Sequence, residues 1–235
     1  MGSDDRNTTL TPHGKSSDVD SFVAAAQKLP VAGAVRGRLI FALDATMSRQ
    51  PTWDLAQGLQ GKMFDAAAGV GGLDVQLVYF RGQHECCASN FVSGGQGLAA
   101  LMGRISVQGG LTQLRRVLLH ARDEARRAPV GVLVFVGDAM EESVDPLIQT
   151  AGELALLGVK AFMFLEGDDP NARRAFQEIA RVTGGAFGSF DAGAASRLAA
   201  LLKAAASYAA GGRGALEAFA KQTPEARLLL QQLRG

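Results

Sequence analysis

Residues 38–54 read RLIFALDATMSRQPTWD. A short apolar run, Leu39 to Leu43, stops at Asp44 and is followed at alternate positions by two hydroxyls, Thr46 and Ser48. A strand that ends abruptly in a carboxylate and two hydroxyls predicts a site at the carboxyl end of a sheet, where open α/β sheets bind their ligands. Asp, Thr and Ser spaced by two in a tight loop can curl three oxygens inward, and hard divalent cations take oxygen donors of this kind.

The signature recurs downstream. Val132–Val136 is fully apolar and ends in Gly137-Asp138, which predicts a second strand buried on both faces of a parallel sheet. Between the two, Leu55, Leu59, Met63, Phe64 and Ala67 have helical spacing, giving a helix over about 54–69. Leu73–Arg81 alternates as a strand, and the five residues Arg81–Glu85 are too few for a crossover. The next strand, about 86–92, therefore pairs antiparallel at an edge.

Helices follow at about 96–105 and, opened by Gly109-Gly110-Leu111-Thr112, as far as Arg127. Asp145-Pro146 and Asp169-Pro170 each predict a helix start with proline at the first position. Strands are expected at 159–165 and 186–190, and helices at 171–182 and 193–209. The fold class is thus doubly wound α/β: a mostly parallel central sheet, one antiparallel edge strand and helices on both faces. If the strands ending in Asp44 and Asp138 are neighbours at the switch point, both carboxylates face one crevice, within reach of Thr112.

Residues 1–18 are polar and small and predict a disordered tail. The domain spans 19–210, and Gly211-Gly212 separates it from a helical arm, 211–235, with Leu228, Leu229, Leu230 and Leu233 as an apolar stripe. At 235 residues and 47% hydrophobic, the chain can fill one sizeable core. A net charge of +1 without a long basic run gives no electrostatic footprint for nucleic acid. No apolar run approaches the ~18 residues of a membrane helix. Cys86 and Cys87 are adjacent, which argues against a disulfide framework. The polar, acidic start MGSDDRNTT does not read as a signal peptide. A cytoplasmic location is the expectation. His13, His84 and His120 lie far apart and have no zinc-ligand spacing.

DATMS, the GGLT turn and FVGD, in this order and on these elements, resemble a von Willebrand factor A (VWA) domain over about residues 36–207. The metal-ion-dependent adhesion site of that family uses Asp-x-Ser-x-Ser, then a Thr, then an Asp. Asp44, Thr46 and Ser48 fall on the first motif, Thr112 on the second and Asp138 on the third. Thr46 stands where the family has serine and keeps the hydroxyl. Gly137-Asp138-Ala139 stands for the commoner Thr-Asp-Gly.

The resemblance implies a stand-alone intracellular adaptor or scaffold without catalytic activity. It binds a protein partner through a divalent cation that accepts the partner's acidic residue, and the last helix of the domain shifts on binding. Mg²⁺ suits such a site best, with Mn²⁺ and Ca²⁺ as alternatives. Neither nucleic acid nor membrane is an expected partner.

Each feature has a simpler reading. Asp44 and Ser48 are acceptable helix caps, and so is Thr112. Cys86-Cys87 reads as an inert edge pair rather than a redox pair. Glu141 and Glu142 read as solvated loop charges, the alternative being that they tune the metal site or repel acidic partners. Gly69-Val70-Gly71-Gly72 lies after a helix and before a strand, the wrong order for a dinucleotide loop. The competing function is a phosphotransferase of the haloacid-dehalogenase type with Asp44 as nucleophile. That chemistry requires Asp-x-Asp, where this chain has Asp44-Ala45-Thr46, and a lysine that is absent between Lys62 and Asp138.

Overall fold

The computed structural model describes residues 37–46, 72–93, 100–101, 103–191 and 195–233. The predicted tail, the helix over 54–69, half of the helix over 96–105 and Ser48 lie outside the described residues.

The first apolar run forms β1, Gly37–Asp44. It is followed by β2, Leu73–Arg81, and two short strands, β3, Glu85–Ala88, and β4, Val92–Ser93. Then α1, Leu114–Arg127, leads to β5, Val132–Gly137. The chain continues through α2, Val144–Leu156, β6, Lys160–Glu166, α3, Pro170–Thr183, and β7, Ala186–Phe190. It closes with α4, Ala195–Ala220, and α5, Pro224–Gln232.

The strands make one seven-stranded sheet in the order β3-β2-β1-β5-β6-β7, with β4 also on β2. All pairings are parallel except those of β3 and β4 with β2. The sheet is thus the doubly wound, mostly parallel one expected. The predicted edge strand over 86–92 is instead two pieces. Ser89 interrupts it by turning its side chain into the ladder: its Oγ accepts the Leu77 N–H at 3.0 Å, and its own N–H donates to the Leu77 carbonyl.

Side-chain parity divides the core between the two faces. Leu39, Phe41 and Leu43 of β1 join a cluster with Leu198, Leu201 and Leu202 of α4. Ile40 and Ala42 join the opposite cluster, which holds Val117 and Leu118 of α1, Leu147 of α2 and Phe176 of α3. The polar positions of β2 are buried as well, with partners. Gln76 Oε1 lies 2.8 Å from His120 Nε2 while its Nε2 donates to the Ser89 carbonyl, and Ser93 Oγ donates to Asp74.

Helix starts follow the sequence in one case and depart from it in another. Asp169 caps α3 by accepting the Ala172 N–H at 2.7 Å, with Pro170 at the first position. α2, by contrast, begins at Val144 after Ser143, so Asp145-Pro146 falls inside its first turn. Proline is tolerated there because first-turn N–H groups have no intrahelical acceptor.

The last two helices pack on the α4 face. α4 continues to Ala220 through a kink at Gly211 and Gly212, whose backbone is non-helical. Leu216, Ala220, Ala226, Leu229 and Leu233 are buried in the same core as β1. Gln232 meets the free edge of β7 as a strand would. Its Oε1 accepts the Phe187 N–H and its Nε2 donates to the Phe187 carbonyl, both at 2.9 Å. An unpaired edge invites pairing with another chain, and here a side-chain amide occupies it.

Candidate functional site

The order of strands reverses between β1 and β5. From β1 the sheet grows to β2 and β3 on one side and to β5, β6 and β7 on the other. In the β1–β5 ladder Leu43 lies opposite Val136, so Asp44 and Asp138 follow at the carboxyl ends of adjacent parallel strands. This is where such sheets form their ligand crevice.

A cavity of about 170 Å³ lies there, lined by Asp44, Thr46, Thr112, Asp138 and Glu141 and by the backbone at Gly109, Gly110 and Ala139. Four of the five sequence-predicted site residues therefore come together. The fifth, Ser48, lies outside the described residues.

Each side chain is held by a local device. Asp44 Oδ1 accepts the Thr46 N–H at 2.8 Å, turning the chain sharply just past the strand. The loop of Thr112 is anchored to the β2–β3 turn: the Leu111 N–H donates to the Gly82 carbonyl at 3.2 Å, and so does Gln113 Nε2 at 3.2 Å. Gly110 is imposed by this approach, because a Cβ there would sit 2.1 Å from the Gly82 carbonyl oxygen. Gly137, where the resembled family commonly has threonine, has a comparable cause: a Cβ would lie 2.8 Å from the Phe135 ring.

Thr112 does not cap α1. Its Oγ1 donates to the Ala139 carbonyl at 3.3 Å, across to the loop after β5, and the N-cap position is Gln113, whose side chain makes no capping bond. The first turn of α1 has no acidic residue either. The missing groups come from Glu141 and Glu142. Glu141 Oε2 accepts the Thr112 N–H at 3.1 Å, and both carboxylate oxygens of Glu142 accept the Arg115 N–H at 3.2 Å. Burial raises the Glu142 pKa, opposed by the N–H groups of Arg115 and Leu114. Reading these two glutamates as free loop charges is therefore corrected: they clamp the loop after β5 to the start of α1. A helix that opens without a cap or an acid of its own is the sequence signal for such a partner.

Asp138 stands apart. Its Oδ1 is buried and is, among the described residues, the one buried side-chain oxygen or nitrogen without a hydrogen-bond partner. Leaving a buried acceptor unsatisfied costs about 1–3 kcal/mol, more for a charged group. A cation among oxygen donors would relieve that cost. The donor set of carboxylates and neutral hydroxyls fits a hard divalent ion. Among the described residues no group of three or more His, Cys, Asp or Glu side chains could hold a metal ion, so a cation here would depend on the hydroxyls of Thr46 and Thr112 beside the carboxylates of Asp44 and Asp138.

A larger cavity, about 330 Å³, lies between α3, β7 and the end of α5. It offers amides of Gln177 and Gln231, and its one charged lining residue, Arg181, is paired with Glu178. The two cysteines are free and buried, and burial pushes their thiols up to about 12 for Cys86 and about 11 for Cys87. Neither forms the thiolate that redox chemistry needs.

No protein-family model and no curated protein sequence matches the chain. Solved structures do. A von Willebrand factor type A protein from Catenulispora acidiphila superposes with a TM-score of 0.59 at 16% identity, over 76% of this chain and 44% of that one. The SpRpn10 VWA domain gives 0.53 at 12% identity, over 67% of this chain and 89% of that domain. The ArnB paralog VWA2 from Sulfolobus acidocaldarius gives 0.51 at 12% identity, over 73% and 46%. The chain thus spans less than half of the first and third of these proteins and most of the second. At such identities the likeness is one of fold: the chain has the Rossmann-like fold of VWA domains.

Proposed function

We propose that this protein is a metal-dependent protein-interaction module of the VWA type, an adaptor or scaffold rather than a catalyst. Its cavity at the ends of β1 and β5 binds a divalent cation, Mg²⁺ in the first instance. The observation that carries the reading is the buried Asp138 Oδ1, without a hydrogen-bond partner among the described residues, in the cavity it shares with Asp44, Thr46 and Thr112. Asp44, Thr46, Thr112 and Asp138 would hold the ion, with Ser48 added from the sequence motif. When bound, the ion supplies an electrophilic centre for an anionic oxygen of a partner, in keeping with an acidic residue as the recognised group.

The chain's own residues do the rest. The Asp44–Thr46 turn and the Thr112–Ala139 bond orient oxygens from two loops toward one cavity. Leu111, 57% exposed beside Thr112, presents an apolar side chain next to it, suited to the apolar surround of a partner's acidic residue.

The test is calorimetric titration of Mg²⁺ and Mn²⁺ into wild type and Asp44→Asn. Asparagine keeps the acceptor for the Thr46 N–H and removes the charge. Affinity is expected to fall about a hundredfold or more, beyond what outer-shell changes produce. Equal affinity in the two proteins refutes the metal site. Turnover of a generic aryl phosphate by the Mg²⁺-loaded wild type, lost in Asp44→Asn, would refute the non-catalytic reading.

A further inference from the structure

The last strand of the sheet, β7, pairs in parallel with β6 on one side only. The Phe190 carbonyl accepts from the Gly167 N–H, on the β6 side. In a parallel ladder the peptide groups of alternate residues face opposite neighbours, so those of Phe187 and Ser189 point away from β6. At Phe187 a side-chain amide stands where the peptide group of a further strand would stand. Gln232 Oε1 accepts the Phe187 N–H and Gln232 Nε2 donates to the Phe187 carbonyl, both at 2.9 Å. Gln232 is itself exposed, in the last turn of α5.

The cavity of about 330 Å³ lies beside this edge, lined by Phe187, by Gln177 and Arg181 of α3 and by Gln231 and Gln232 of α5. Arg173, Gln177 and Arg181 are spaced by four and share one face of α3. The Arg173 guanidinium lies over the Phe187 ring, 5.7 Å from its centre. A cationic face thus runs along the edge, and the described residues that line the cavity include no carboxylate. Glu178, which pairs with Arg181, does so at an exposed position, where an ion pair contributes little and gives way to another carboxylate.

We propose that the edge of β7 is a docking site for an extended acidic segment of a partner protein, added as a further strand, and that Gln232 is the gate this strand displaces. Main-chain bonds to Phe187 and Ser189 supply the pairing. Arg173 and Arg181 receive the partner's carboxylates and disfavour a basic segment. The site is separate from the cavity at the ends of β1 and β5 and needs no cation there.

The experiment measures binding of the full chain to a fluorescent octapeptide of alternating threonine and glutamate. Its lysine counterpart and the glutamate peptide N-methylated throughout serve as comparisons. Gln232→Ala opens the gate and should raise affinity for the glutamate peptide about tenfold, the scale of two net hydrogen bonds. Arg173→Gln should lower it severalfold, an effect that shrinks at high salt. Ser189→Pro removes an outward N–H, which an edge strand tolerates, and should weaken binding at an unchanged melting temperature. The N-methylated peptide tests the same bonds without altering the fold.

Equal affinity for the N-methylated peptide overturns strand addition, and equal affinity for the lysine peptide overturns the acidic partner. A Gln232→Ala variant that binds no more tightly than wild type marks the amide as a strut of α5 and overturns the gate. Absence of glutamate-peptide binding in both proteins overturns the docking site itself.

Discussion

Two acidic clusters sit at the carboxyl ends of neighbouring parallel strands, and they are built in opposite ways. At the end of β2, Glu85 is buried against Arg81 at 2.6 Å and also accepts the Tyr79 hydroxyl at 3.0 Å. Arg81 also donates to Ser106, at 2.7 Å to the carbonyl and 2.9 Å to Oγ. At the ends of β1 and β5, Asp138 keeps a buried oxygen with no hydrogen-bond partner among the described residues. The first cluster supplies its own cation, and Asp138 in the second has none among the described residues, which is what the proposed metal site rests on. A paired buried charge is architecture, whereas an unpaired oxygen beside a cavity is a candidate for binding.

The comparison breaks most visibly at Arg81. Arg81→Ala would leave the Glu85 carboxylate buried and uncompensated, which costs about 3–5 kcal/mol. Chemical denaturation should show a loss of that size, and Arg81→Met combined with Glu85→Leu should recover most of it. A loss under about 1 kcal/mol would mean that water reaches Glu85 and that the pair is only an exposed ion pair.

His120 extends the contrast to pH. It is buried on α1 with its Nε2 against Gln76 Oε1. Gln76 Nε2 is committed to the Ser89 carbonyl, so His120 Nε2 is the donor in this contact. Burial lowers its pKa to about 4, the nearby Glu124 and Asp123 opposing that shift and Arg127 adding to it. The unfolded chain takes up this proton near the ordinary value of about 6.5 and the folded one only near 4. Stability is therefore full above about 6.5 and falls as pH drops toward 4, on the order of 3 kcal/mol for this one group. His120→Gln should flatten that part of the profile in urea denaturation between pH 4 and 7. An unflattened profile would place the acid lability elsewhere.

Much of this contrast was legible in the residues, for physical reasons. β1 and β5 announce themselves because a strand buried on both faces tolerates only apolar side chains, and a carboxylate ending each marks the sheet's rim. Asp44, Thr46, Thr112 and Asp138 were readable because each lies within two residues of an element end. Glu141 and Glu142 were not, because their partners Thr112 and Arg115 are 29 and 27 residues away. Only the packing of two loops makes those bonds. Arg81 was equally opaque: at a strand end before a turn it reads as solvated, and its burial follows from Glu85 facing it across the β2–β3 ladder. The start of α2 misled because Asp-Pro is tolerated anywhere in the first turn, and here the helix begins at Val144, one residue before it.

The smallest effect on stability is expected where the functional effect is large. Asp138→Asn keeps the shape of the side chain and removes the charge from a buried oxygen that no group among the described residues satisfies. Removing an unpaired buried charge relieves desolvation, so the metal-free variant should be as stable as wild type or more stable by up to about 1 kcal/mol. With Mn²⁺ present the order should reverse, because wild type gains stability by mass action, about 2.7 kcal/mol at a hundredfold excess over Kd, and the variant gains little. Thermal melts of both proteins with and without Mn²⁺ read the two effects side by side. A variant that loses several kcal/mol without metal would show that Asp138 is held by the fold like Glu85, and the distinction between the two clusters would disappear.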